Sequence, residues 1–130
     1  MAAEFTVIAW LFVLMFAYIG IRPVLRLIEN GIMPAIGPQD DYPEVLNKIG
    51  QRAERANHNF KETLPIALAL LIAMPLAGKG NADTATAAWI YFYARAAYLP
   101  AYIVGIPGLR TLIWAVATTA IGYLAWALLN

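Results

Sequence analysis

Arg52, Arg55, Asn59 and Glu62 stand at i, i+3, i+7 and i+10. At about 100° per residue they fall in a stripe about 80° wide, so a helix through this segment carries two guanidiniums, an amide and a carboxylate on one face. Arg95, Tyr98 and Tyr102 repeat the geometry at i, i+3 and i+7, and Arg110 opens the next apolar stretch. These residue types suit a small polyanionic ligand that also carries an amine. Guanidinium forks grip carboxylates through paired hydrogen bonds, and Glu62 can take an ammonium. The chain contains no cysteine, so it has no disulfide, thiolate metal site or cysteine nucleophile of its own. The single histidine, His58, gives no basis for a histidine metal centre, and no metal is expected. Any reactive thiol has to arrive with the ligand.

The elements that must position these groups belong in a bilayer. Of 130 residues, 62% are hydrophobic and 13% are charged, about half the ~25% charged fraction of soluble domains. The mean hydropathy is +0.63. A soluble chain of this size buries only about two-thirds of its surface and could not hide so much apolar area. The net charge of +1 offers nothing to a nucleic acid.

Four apolar stretches predict a single all-α domain, an integral membrane four-helix bundle. The helices are expected over about 5–28, 45–77, 83–104 and 108–129. Phe5–Ile21 alone is 17 uncharged residues, close to a full span of ~30 Å of hydrocarbon. It follows an acid, Glu4, and no base, so it reads as a retained helix rather than a secretory signal. The polar second segment starts as a helix near Pro43–Val45, with Pro65 either kinking it or tolerated by neighbouring helices. Asn81 or Asp83 can cap the third helix. Arg22, Arg26, Lys48, Arg52, Arg55, Lys61, Arg95 and Arg110 gather at one end of the bundle, and Lys79 alone marks the other. By the positive-inside rule the first and third loops face the cytoplasm and both termini face away from it. The two polar stripes then converge near the cytoplasmic surface.

Plainer readings stand beside this one. Arg52, Arg22 and Lys48 can meet lipid phosphates at a helix end, and Arg95 and Glu62 can form a structural ion pair between helices. His58 lies off the stripe and reads as packing or interfacial. Trp10, Trp89, Trp114, Trp126, Tyr18, Tyr91, Tyr93 and Tyr123 read as belt or lipid-facing residues. Ala115, Thr119, Gly122 and Ala125 read as close helix contacts.

The segment from Arg52 to Pro65 (RAERANHNFKETLP) resembles the second-helix signature of the MAPEG family, the membrane-associated proteins of eicosanoid and glutathione metabolism, in the form R-x-x-R-A-x-x-N-x-x-E-x-x-P. Arg95…Tyr98…Tyr102-Ile-Val-Gly-Ile-Pro-Gly-Leu-Arg110 is similar to a second family segment, in the same order. Length, four spans and a long first loop agree, so the resemblance covers essentially the whole chain. Tyr98 stands where several members carry His.

The resemblance implies a homotrimer in a bacterial inner membrane, with glutathione held between subunits near the cytoplasmic face. Arg110 would stabilise the glutathione thiolate. Arg52, Arg55, Asn59 and Glu62 would hold the tripeptide, Arg95, Tyr98 and Tyr102 would complete the pocket across the subunit boundary, and Arg26 (or Arg22) would add a contact from the first helix. The partners implied are glutathione as co-substrate, a hydrophobic small molecule or lipid, and membrane lipids. The activity implied is a glutathione transferase or peroxidase. The alternative is a non-catalytic lipid-binding or scaffold protein of the same fold. A proton-coupled exporter is disfavoured, because the first helix lacks a deep carboxylate.

Overall fold

A computed structural model of the chain describes residues 2–31 and 48–130; the side chains of Arg22, Arg26, Glu29 and Asn30 lie outside it. The described residues form four α-helices: α1 (Ala3–Asn30), α2 (Lys48–Leu76), α3 (Ala82–Val104) and α4 (Leu109–Leu129). The expected start of the second helix, near 43–45, falls outside the described residues. α2 and α3 form the middle of the bundle, where α1 packs on both and α4 packs on both. Among the described residues α1 and α4 do not meet.

Three of the helices, α1, α2 and α4, are each long and apolar enough to cross a membrane. α3 has 23 residues, about 35 Å at ~1.5 Å per residue, but its apolar run contains Arg95. Large apolar side chains such as Phe16, Ile28, Val104 and Leu112 lie on the outside, as expected where lipid tails replace water as solvent. The core is built from Val7, Leu11 and Tyr18 of α1, Phe60, Leu64, Leu71 and Met74 of α2, and Tyr91 and Tyr98 of α3. Ala117, Ala120, Ile121 and Leu124 of α4 complete it. Prolines 23, 65, 75 and 100 all sit inside helices. Pro65 is therefore tolerated within a continuous α2.

Helix ends are fixed by specific residues. Asn81 caps α3 by accepting from the Thr84 backbone N–H at 2.9 Å, while Thr84 Oγ1 accepts from the Asn81 N–H at 2.8 Å, a reciprocal capping box. Thr84 Oγ1 also donates to Glu4 Oε1 at 2.8 Å, which ties the first turn of α1 to that of α3. Glu4 is 3% exposed. At the other end, α3 stops at Gly105, whose φ of 76° is left-handed. Its N–H still reaches the Ala101 carbonyl at 3.2 Å.

One sequence expectation is corrected. Tyr18 and Tyr91 are fully buried rather than lipid-facing. Each hydroxyl has an internal partner, Tyr18 donating to the Arg95 carbonyl at 2.6 Å and Tyr91 lying 3.1 Å from Thr63 Oγ1, and such pairing removes the cost of burying a phenol. Thr119 and Gly122 are exposed, and a Cβ at Gly122 would meet nothing. Within one chain α4 packs through Ala117, Ala120, Ile121 and Leu124.

Candidate functional site

One cleft gathers most of the polar stripes. It measures ≈ 520 Å³ and lies among the first half of α2, the end of α3 and the start of α4. From α2 it is lined by Glu54, Arg55, His58, Asn59 and Glu62; from α3 by Tyr98 and Tyr102; from α4 by Arg110, Thr111 and Trp114. A single chain supplies all of these, and within it the Tyr102 hydroxyl reaches Arg55 of α2.

Tyr102 is the meeting point of the cations. Arg55 Nε donates to its hydroxyl at 3.2 Å, and the Arg110 guanidinium carbon lies 4.8 Å from the ring centroid. Tyr98 packs edge-on against Tyr102 with centroids 5.6 Å apart. Two positive charges held by one aromatic side chain repel each other, and an anion between or beside them relieves that repulsion. Glu62, which lines the cleft together with a second carboxylate, Glu54, is exposed and lies 3.2 Å from His58 Nε2, one turn earlier on α2. His58 therefore lines the cleft, although its helical angle puts it off the stripe.

Two expected ligand contacts lie elsewhere. Arg95 is fully buried and is not part of the cleft lining. Its Nη1 donates to Asn59 Oδ1 and its Nη2 to Thr63 Oγ1, each at 2.8 Å. The rings of Tyr98, Tyr91 and Phe60 surround it at 5.1, 5.8 and 6.0 Å. No carboxylate among the described residues pairs with it, so the inter-helix ion pair with Glu62 is not formed. Arg52 turns to the end of α3 instead, where Nη1 donates to the Ile103 carbonyl at 3.0 Å and the guanidinium lies against Gly105. A cation there satisfies a carbonyl that the helix end leaves free and opposes the negative end of the helix dipole. Arg26 is on α1, but its side chain lies outside the described residues.

Trp114, read from the sequence as a belt residue, lines the cleft instead, and Thr111 and Thr63 were not singled out. Trp114 follows Arg110 by four residues and Thr63 follows Asn59 by four, so the spacing that assembled the stripes also reached them.

No match was found among curated proteins or among solved structures. The family model described as the MAPEG family matches residues 3–130, essentially the entire chain that builds this cleft and its helices, and the protein belongs to that family.

Proposed function

We propose that the protein is a membrane glutathione-dependent transferase or peroxidase that activates the glutathione thiol for reaction with hydrophobic electrophiles or lipid hydroperoxides. The observation that carries this reading is the convergence of Arg55 and Arg110 on Tyr102, inside a cleft that also holds Asn59 and Glu62. A volume of ≈ 520 Å³ lies in the range of small-ligand sites. Family membership supports glutathione as the thiol.

In this reading Arg55 and Asn59 hold the peptide and its carboxylates, and Glu62 takes the ammonium. Tyr98 and Tyr102 form the wall, and Arg110 faces the sulfur. A free thiol has a pKa of ~8.5, and an adjacent guanidinium lowers it by stabilising the thiolate. The thiolate can attack an electrophilic carbon, forming a C–S bond and expelling the leaving group or opening a ring. It can equally attack the distal oxygen of a hydroperoxide. That step releases the alcohol after protonation and leaves a sulfenic acid, which a second glutathione converts to disulfide and water. Trp114 is 41% exposed beside the cleft and presents an apolar edge to molecules dissolved in the bilayer. We further propose a homotrimer with the cleft facing the cytoplasm and both termini on the opposite side. The clustered cations near the cleft support that orientation.

The test is the ultraviolet absorbance of the glutathione thiolate, titrated with detergent-purified protein, wild type beside Arg110→Leu. A signal that saturates in wild type and disappears in the variant is expected, together with a turnover loss of about tenfold or more, equivalent to ~1.4 kcal/mol. Binding without a thiolate signal in wild type would instead favour the non-catalytic lipid-binding or scaffold reading.

A further inference from the structure

Among the described residues, Arg95 is a charge without a counter-charge. It is fully buried, its partners are an amide, a hydroxyl and three aromatic rings, and its Nε has no hydrogen-bond partner among the described residues. Burying an unpaired guanidinium is costly, and the cost persists only where the surrounding structure holds it. Here three helices hold it. Tyr18 of α1 grips its backbone carbonyl, Asn59 and Thr63 of α2 accept its protons, and Tyr91 and Tyr98 of α3 flank it on its own helix.

The chemistry of the pair settles an orientation. A guanidinium only donates, so the atom of Asn59 that faces it must be the amide oxygen. The amide nitrogen then points the other way. Asn59 lines the cleft, Nδ2 makes no hydrogen bond to another described residue, and it is not among the buried polar atoms left without a partner.

We propose that Arg95 is a positioning residue that turns the Asn59 amide so that Nδ2 faces the cleft, making this wall a hydrogen-bond donor that selects a carbonyl or carboxylate oxygen of the ligand. The carboxamide cannot flip to offer its oxygen while Arg95 is present, because Nδ2 would then confront a second donor. The positive charge behind the amide polarises it and strengthens the bond that Nδ2 gives to an anion. Asn59 therefore addresses an acceptor on the ligand, and the ligand's ammonium is left to Glu62. The identity of that ligand as glutathione rests on the function proposed above; the orientation of the amide does not.

Asn59→Asp separates the two parts, because it has opposite effects on stability and on binding. The new carboxylate gives Arg95 the counter-ion it lacks, and removes the only donor this position offers the cleft. In detergent-purified protein without ligand, the variant is expected to unfold about 3 °C or more above wild type. In an Arg95→Met background the same substitution buries an unpaired acid and is expected to lower the unfolding temperature. Isothermal titration with glutathione is expected to show affinity weakened about tenfold or more in Asn59→Asp. A loss of packing does not weaken binding in a protein that has become more stable, so this combination identifies positioning. An unfolding temperature that falls, or moves in the same direction in both backgrounds, would overturn the Arg95–Asn59 assignment. Unchanged glutathione affinity in a stabilised variant would overturn the donor role. If wild type fails to bind glutathione, the proposed function fails, and the unfolding temperatures still decide the orientation.

Discussion

Replacing Gly105 with alanine tests whether Arg52 holds the turn that delivers Arg110. Gly105 has φ +76°, a conformation that costs a Cβ-bearing residue about 1–2 kcal/mol. The new Cβ would stand 2.9 Å from Arg52 Nη1 and 3.0 Å from its Cζ, closer than van der Waals contact allows. The guanidinium is the free end of a flexible chain and can withdraw, but only by giving up its 3.0 Å bond to the Ile103 carbonyl. A hydrogen bond from a charged donor is worth about 1.5–3 kcal/mol, and the half-buried setting of Arg52 puts it at the lower end. Gly105→Ala should therefore destabilise the protein by about 2–4 kcal/mol, and by only about 1–2 kcal/mol in an Arg52→Ala background, where the backbone cost alone remains. Reversible denaturation in mixed micelles, measured on both single variants and the double variant, gives the coupling directly. An equal cost in the two backgrounds would show that Arg52 does not press on Gly105, and the account of the turn would be wrong.

Other substitutions test separate contacts. Glu62→Gln should weaken glutathione binding while leaving the thiolate absorbance of the bound fraction intact; unchanged affinity by titration would remove Glu62 as the ammonium partner. Tyr18→Phe deletes the 2.6 Å bond to the Arg95 carbonyl and should cost about 1–2 kcal/mol in denaturation. Thr84→Val breaks the α3 capping box and leaves buried Glu4 without its donor, for about 2–4 kcal/mol, and Thr84→Ser should recover most of it. A single cysteine at Lys79, in a chain that has none, should react with an impermeant maleimide from the non-cytoplasmic side; labelling only from the cytoplasm would reverse the proposed orientation.

Helical spacing made the α2 side of the cleft legible, because Arg55, Asn59 and Glu62 needed only the 3.6-residue period to share a face. It could not say what lies opposite each residue along the helix axis. Arg52 shares their angle but sits where α3 ends, so a carbonyl and not the cleft receives it. Arg95 shares the angle of Tyr98 and Tyr102, yet lies deeper and meets α2 instead. The failures over Tyr18 and Tyr91 have a different cause. In a soluble helix the apolar face is the inner one, but lipid makes both faces apolar and erases that contrast. The inward side of α1 and α3 was therefore unreadable at these positions, whereas polar residues kept their meaning.

The guanidinium buried in α3 also bears on how the chain enters the membrane. An arginine near the middle of a spanning helix costs about 2.5–3.5 kcal/mol to insert, and α3, unlike its three neighbours, is not apolar enough to be counted a span by composition alone. Its acceptors, Asn59 and Thr63, are on the helix synthesised just before it. An α3 that crosses the bilayer would integrate as the second member of a pair, its charge leaving water only once α2 is in place to receive it. Stripping both acceptors from α2 would be felt during biogenesis, as α3 left outside the bilayer, before any ligand could report the change.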